Sequence, residues 1–382
     1  MPTPPPRIAV IGGGPAGLTF ARVLQRHGLP VTVHERDRDP VDRAQGGSLD
    51  LHRDSGQVAL TAAGLLDEFF AASRPEGQAL RLLDRAGTVL LDAPADPDDR
   101  FKPEIDRGEL RALLLGSLEP GTVEWDRRLR AAVPLGDGRH RLDFTDGRST
   151  TCDLLVGADG ARSAVRPLLS DAEPAHSGVV FVDVVLTDVD RAHPELAELI
   201  GHGMTFALDE GKGLLAQRNS GGVIRVHAAF RAPSDWGRDL DRGALRAVLL
   251  EMFADFGPVL RDVLHRGEGP FDVRAITALP VGHRWRHRPG VTLLGDAAHL
   301  MSPFAGQGAN LAMLDAAELA ERIAAGGPLD EAVAAYEERM FPRSAEAAAR
   351  AATGIEDCIG PGGPAHAFAH FQAMTAGNPQ RT

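Results

Sequence analysis

The chain has 382 residues, 43% of them apolar and 25% charged, which suits two packed domains or one large domain carrying an insertion. Its formal charge of -12 argues against nucleic acid as the main partner, because phosphate binding needs a dense basic surface. Two cysteines, Cys152 and Cys358, are too few for a disulfide framework, so a reducing cytoplasm is the expected compartment.

Residues 1–6 are proline-rich and lack the basic-then-apolar pattern of an export signal. Residues 7–11 form a short β-branched run suited to a buried parallel strand. Gly12, Gly13 and Gly14 then interrupt the apolar stretch, so it reads as strand, turn and helix instead of a membrane span. Residues 16–27 have helical spacing at Leu18, Val23 and Leu24 and stop at Gly28. A second strand through Val31 and Val33 ends at Glu35, completing a βαβ unit of about thirty residues. Residues 55–70 read as one helix, 79–91 as a hairpin, 93–99 as a loop and 106–118 as an amphipathic helix. Residues 139–145 and 149–156 read as strands about the Asp146-Gly147 turn. From 179 to 230 the pattern alternates, as in an antiparallel sheet with one covered face. Residues 244–256 are helical, and 291–294 form another buried strand leading into a glycine turn and helix. Residues 329–352 are helical with a kink or break at Pro342. The glycine- and proline-rich tail after Gly360 reads as irregular, and there is no internal repeat.

Three glycine-bearing turns follow strands. The first, Gly12-Gly13-Gly14-Pro15-Ala16-Gly17, is a G-x-G-x-x-G. Gly12 permits the tight turn, Gly14 lets backbone approach a pyrophosphate, and Gly17 lets helix and strand pack closely. Glu35 lies 18 residues beyond Gly17, at the end of the next strand, where an acid can bind both ribose hydroxyls of an adenosine. This context points to dinucleotide binding. The second turn runs from an apolar strand into Asp159-Gly160 and by itself reads as a hairpin or a helix cap. The third is Gly295-Asp296-Ala297-Ala298-His299, followed by Pro303-Phe304-Ala305-Gly306-Gln307-Gly308-Ala309-Asn310. Asp296 is placed to accept hydrogen bonds from a polyol. The helix that begins at 306–310 offers free N–H groups to an anion, as a reduced flavin requires at its N1–C2=O locus. His299 reads as a structural part of the turn.

In this order and spacing, the three motifs resemble the FAD-dependent aromatic hydroxylases, flavoprotein monooxygenases of the para-hydroxybenzoate hydroxylase type, over nearly the whole chain. Gly46-Gly47-Ser48-Leu49-Asp50-Leu51-His52, Ser55-Gly56-Gln57, Pro103-Glu104-Ile105 and Leu110-Arg111-Ala112 look like the tetracycline-inactivating members. The resemblance implies an α/β fold with a Rossmann-like FAD-binding domain of the glutathione-reductase type, spread over 1–70, 97–172 and 273–325. It implies a β-rich substrate domain at 71–96 and 173–272, and a C-terminal helical bridge with an irregular tail at 326–382. It puts Glu35 and Arg36 at the adenosine end of FAD, Asp50 and Arg111 on the flavin side, and Asp296 at the ribityl or pyrophosphate region. Arg43 is placed with the nicotinamide. Gly12, Gly14, Pro15, Ala16, Gly17, Asp159, Gly295, Pro303, Gly306, Gln307, Gly308, Ala309 and Asn310 complete the implied cofactor site. The implied reaction begins with reduction of FAD by NADPH or NADH. Reduced flavin and O2 then form a C4a-hydroperoxide that hydroxylates an electron-rich carbon. No second G-x-G-x-x-G follows a strand, in keeping with a transiently bound nicotinamide.

The substrate positions depart from the tetracycline-inactivating pattern. Asp183, Met204 and Arg225 stand where those enzymes carry a glutamine, an arginine and a histidine, so these roles do not transfer. The pocket is expected between the β-rich block and the flavin, with Phe181, Asp183, Met204, Phe206, Arg225, His227 and Phe304 as candidate liners. Such a mixed aromatic and polar lining suits a planar phenolic or polyketide-like, including tetracycline-like, molecule. The plainer reading makes Phe181 and Phe206 core residues and puts Arg225 and His227 on a solvent face. There is no metal-ligand spacing and no nucleophile elbow. A monomer that acts on neither membrane nor nucleic acid is expected. Competing readings are a flavin-dependent reductase or halogenase, and a non-catalytic FAD- or ligand-sequestering protein. A halogenase is disfavoured by the isolated Trp125, Trp236 and Trp285 and by the placement of the only lysines, Lys102 and Lys212, in unsuitable loops.

Overall fold

The computed structural model describes residues 5–42, 46–96 and 98–376. A parallel sheet holds the strands in the order Val291–Leu293, Leu154–Gly157, Ile8–Ile11, Val31–His34 and Val123–Glu124. All four residues of Ile8–Ile11 are buried, because helices or loops cover both faces of a central parallel strand. The helix Pro15–Arg26 buries Leu18, Phe20, Val23 and Leu24, and its neighbour in space is the helix Gly308–Ala324. The three glycine turns therefore leave the same end of one sheet.

A second sheet has seven strands in the order Glu268–Ala278, Ala175–Leu186, Val223–Arg231, Lys212–Asn219, Met204–Asp209, Leu80–Asp84 and Val89–Ala93. All pairs are antiparallel except Met204–Asp209 with Leu80–Asp84. Two-residue alternation sorts its side chains. Val180, Val182, Val184, Val226 and Ala228 form one core with Leu245, Leu249, Leu260 and Val263 from the helices Arg242–Met252 and Pro258–Arg266. Val179, Phe181, Phe206, Leu208, Leu215 and Ala229 form another with Ile355, Ile359, Ala367 and Phe371 from the last two helices. Asp183, Met204, Arg225 and His227 share this second face, since Asp183 pairs with His227 and Met204 with Gln217 across the strands. It is an inner face, not a solvent face.

Several expectations need correction. Residues 55–70 form two helices, Gly56–Ala63 and Leu66–Ala72, because Gly64 (φ 67°) takes a left-handed C-cap that ends the first. Residues 149–156 divide between two sheets: Ser149–Cys152 pairs antiparallel with His140–Phe144, while Leu154–Gly157 joins the parallel sheet. Short helices Val189–Ala192 and Pro194–Ile200 interrupt the β-rich block. The helix Leu329–Ile359 is one element of 31 residues with Pro342 inside it, so the chain does not split there. Docking outweighs the lost hydrogen bond there: Glu337 accepts from Trp285 Nε1 at 2.9 Å, Thr292 Oγ1 at 2.8 Å and His287 Nδ1 at 2.9 Å, and Tyr336 donates to the Leu293 carbonyl. The tail is helical over Gly363–Ala376, whose Ala367 and Phe371 are buried against the second sheet; residues 377–382 lie outside the described residues. Both cysteines are buried and free. Among the described residues, no helix is long and apolar enough to cross a membrane, and no acidic, histidine and cysteine cluster has metal-holding geometry.

Candidate active site

The first turn is built by close approach. A Cβ on Gly17 would lie 2.0 Å from the Gly12 carbonyl oxygen, so only glycine lets this helix start where it does. Its N-cap Gly14 carries no side-chain cap and Pro15 takes the first position, so the first-turn N–H groups and the helix dipole face whatever sits before them. Glu35 ends the next strand and accepts from the Gly13 and Asp37 N–H groups. Two backbone bonds hold its carboxylate still and leave it acceptor capacity for hydroxyls. Arg36 beside it is exposed. Arg43 lies outside the described residues.

Asp159 follows the strand Leu154–Gly157 and lies against Gly12, whose built Cβ would come within 3.0 Å of the Asp159 Cα. Its Oδ2 accepts from the Ala164 N–H at 2.7 Å, while Oδ1 is buried without a partner. Burial pushes this carboxyl above the usual range, and the hydrogen bonds from Ser163 and the Ala164 and Val165 backbone only partly oppose it. An unpaired buried acceptor at the crossing of two glycine turns calls for a donor.

The third turn brings Asp296 to the open side of the groove. Its side chain is exposed to the groove, yet desolvation by the protein around it pushes its carboxyl up, against the pull of His299, Arg107 and Arg166. The helix Gly308–Ala324 has no side-chain cap, and a Cβ on Gly308 would lie 3.9 Å from Asp296 Oδ1. A Cβ on Gly306 would lie 3.6 Å from both carboxylate oxygens of Asp50. Asp50 also accepts from His52 Nε2 at 2.9 Å and lies 3.7 Å from Lys102 Nζ. Burial raises the Asp50 carboxyl, but His52 and Lys102 hold it below the usual carboxylate range. Gln307 Nε2 is 3.1 Å from His52 Nδ1. His299 is buried and donates from Nε2 to Asp315 at 2.6 Å, which fits its structural reading.

The structure moves some of the residues singled out from sequence. Arg111 does not join Asp50: its guanidinium donates to the Pro40 carbonyl at 2.6 Å and to Asp37 at 3.3 Å and stacks over Trp125, at the Glu35 end of the groove. Asn310 is committed to protein. Its Nδ2 donates to the Asp50 and Gly306 carbonyls, and its Oδ1 accepts from the His52 and Gly56 N–H groups. Phe206 is buried against Phe371 and belongs to the core. Met204 borders a surface hollow of about 250 Å³ with Leu80, Ile200, Gly201 and His202.

Arg107 is the residue that sequence reasoning missed. It opens the helix Arg107–Gly116, one turn before Arg111, and that i, i+4 spacing was the available signal. It is exposed to solvent, but desolvation by the surrounding protein draws its guanidinium down while the nearby Asp296 and Glu104 oppose that, and Arg274 adds to it. Lys102, set aside in the sequence as lying in an unsuitable loop, instead reaches Asp50. Glu104 was quoted only as part of a motif. It is 5% exposed, accepts from Ser48 Oγ and from Gln217 Nε2 at 3.2 Å, and its carboxyl is pushed up to about 7 by burial and by Asp50.

On the sheet side, Phe181 stacks on His227 (5.1 Å) and meets the Phe304 ring edge-on (5.9 Å), joining the sheet to the third turn. His227 Nδ1 lies 2.7 Å from Asp183, which also accepts from Arg274 at 2.9 Å. The Arg225 guanidinium approaches Gly46 so closely that a Cβ there would be 2.8 Å from it. The structure thus brings Asp183 and His227 together through Phe181 to Phe304 of the third turn, with Arg225 reaching Gly46.

A parallel-sheet domain with a glycine cradle, two uncapped helix ends and a β-sheet closing over them defines a dinucleotide-binding flavoprotein. Residues 7–351 match the family model described as FAD binding domain, and the chain belongs to that family, among FAD-dependent monooxygenases of the aromatic-hydroxylase type. It is 33% identical to Monooxygenase penA of Penicillium thymicola, over 89% of this chain and 92% of that protein. In fold it is similar to Klebsiella pneumoniae HpxO solved with FAD and uric acid (TM-score 0.82, 23% identity, 98% of this chain and 94% of that one). It is also similar to the tetracycline destructase Tet(55) (TM-score 0.73, 22% identity, 94% and 92%). The residues present fit FAD: the unpaired Asp159 oxygen, the turn that a Cβ on Gly17 would fill, and Glu35 with acceptor capacity to spare.

Proposed function

We propose that the protein is a single-component monooxygenase that uses NAD(P)H and O2 to hydroxylate a planar phenolic or polycyclic small molecule. One observation carries this reading. The inner face of the second sheet, with Phe181, Asp183, Arg225 and His227, closes through Phe304 onto the turn that bears Gly306 and Asp296. An aromatic and cationic wall beside a flavin groove suits an electron-rich, oxygen-bearing ring.

In this reading 1–70, 97–172 and 273–325 form an FAD domain of the glutathione-reductase type. Residues 71–96 and 173–272 hold the substrate, and the region from 326 braces both. Glu35 takes the adenosine ribose hydroxyls. The 12–17 turn and the first helix end take the pyrophosphate, and Asp296 and Arg107 flank the ribityl chain. The N-terminus of Gly308–Ala324 stabilises negative charge on the ring. Bound FAD supplies the electron transfer from the nicotinamide and the activation of dioxygen. Phe181 and Phe304 keep water from the reacting face. Arg43 meets the nicotinamide, and the protein works as a cytoplasmic monomer. HpxO, solved with uric acid, supports a small heteroaromatic or phenolic substrate.

The test is purification, a visible spectrum, and NADPH and NADH oxidation over a panel of phenols, polyketides and tetracyclines. A flavin spectrum and substrate-stimulated oxidation with an oxygenated product are expected. A colourless protein that cannot be loaded with FAD overturns the cofactor assignment. A yellow protein that oxidises no NAD(P)H with any of them favours a sequestering role. The D296A variant is expected to retain several-fold less FAD, and unchanged occupancy removes Asp296 from the site.

A further inference from the structure

We propose that His227, oriented by Asp183, is the base that takes the hydroxyl proton of a phenolic substrate in this groove. The inference deepens the monooxygenase reading above and rests on it.

Asp183 is held in a fork. Arg274 donates to both of its oxygens at 2.9 Å, and His227 Nδ1 lies 2.7 Å from Oδ1. Burial raises the Asp183 carboxyl, but the bonds from His227 and Arg274 hold it below the usual carboxylate range. An ionised carboxylate only accepts, so the Nδ1 proton points at Asp183 and the lone pair sits on Nε2. Nε2 has no hydrogen-bond partner among the described residues, and the His227 side chain is 33% exposed. The stack on Phe181, itself against Phe304, holds the ring plane.

The same geometry at a solvent face would be an ion pair worth little. Here the pair lies on the face that looks toward Asp296 and Arg107, with Arg274 close enough to Arg107 to perturb it. The charged groups facing His227 are Asp183 and Arg274 from the flanking strands and Arg225 two residues away on its own strand. The Arg225 guanidinium has no partner among the described residues. When the substrate O–H bond breaks, the proton goes to Nε2 and the electron pair stays on oxygen. Asp183 stabilises the imidazolium and Arg225 the phenolate. The phenolate ring carries more electron density, which an electrophilic oxygen donor requires.

The test uses the FAD-loaded full chain with 4-nitrophenol, whose anion is coloured, titrated with pH by difference spectroscopy. The wild type is expected to hold about tenfold more bound anion at a given pH than H227Q, one unit in apparent pKa. D183N is expected to move the same way, because an amide no longer fixes the tautomer. Flavin absorbance of each variant reports that it has folded. A wild type that binds no anion overturns the proposal, and so does an H227Q titration that superimposes on it. NADPH oxidation by the wild type is read separately. If the wild type oxidises neither NADPH nor NADH with any member of the substrate panel while the titration still depends on His227, the monooxygenase reading falls and the base stands.

Discussion

Asn310 shows how one side chain can tie together the segments around the third turn. It is 1% exposed and ties the third turn to Asp50, His52 and Gly56. N310A leaves buried backbone donors and an acceptor unpaired, at about 3 kcal/mol, to be read by urea denaturation. FAD occupancy should fall with it, since Gly306 and Asp50 lose their common strut. Glu104 makes a prediction in pH. Its folded pKa of about 7 exceeds the ordinary 4.5 for this group, so the folded state binds the proton more tightly than the unfolded one. Stability from this group is present below about 4.5 and is lost as pH rises toward 7. E104Q should flatten that decline by an amount on the order of a few kcal/mol; denaturation at pH values bracketing the window measures it. Neither residue's role was legible in the sequence. Burial and the Asp50 neighbour raise Glu104, and both come from distant segments meeting.

At the scale of elements, the G-x-G-x-x-G turn and its helix were legible because their cause is local: a strand must turn into a helix with no Cβ between them. G17A should therefore lose FAD and cooperative melting together, since backbone oxygen at 2.0 Å cannot yield; unchanged FAD content would refute this packing. The long helix Leu329–Ile359 was legible in type but not in extent. Its continuity through Pro342 depends on Glu337, which is 2% exposed and accepts from three side chains of another segment. E337A should cost about 3 kcal/mol or more, measured by thermal unfolding. The helix Gly363–Ala376 was missed for the same reason. Glycine and proline argue for a coil until Phe371 meets Phe206.

For the whole molecule, the three turns converge on one groove whose walls are acidic and basic side chains held apart. FAD binding would tie three chain segments at once, so added FAD should raise the melting temperature. Linkage gives about 2.7 kcal/mol at a hundredfold excess over Kd. A cofactor-depleted sample whose melting curve ignores FAD would contradict this. The overall charge of -12 has no bearing on the groove, where Arg107, Arg225 and Arg274 gather.

The sequence by itself determined the glycine turns, the order of strand and helix around them and the family they belong to, because turn chemistry and side-chain alternation act over a few residues. It also identified a set of residues that proved to share a sheet face, since two-residue alternation leaves little freedom. Only the tertiary structure decided that this face looks inward and that Arg107 stands near Asp296 while Arg111 goes to Asp37. It alone showed that Lys102 and Glu104 border Asp50 and that His227 meets Asp183 and Arg274. Contacts of that kind join residues from tens of positions to nearly two hundred apart, and no local rule of spacing encodes them.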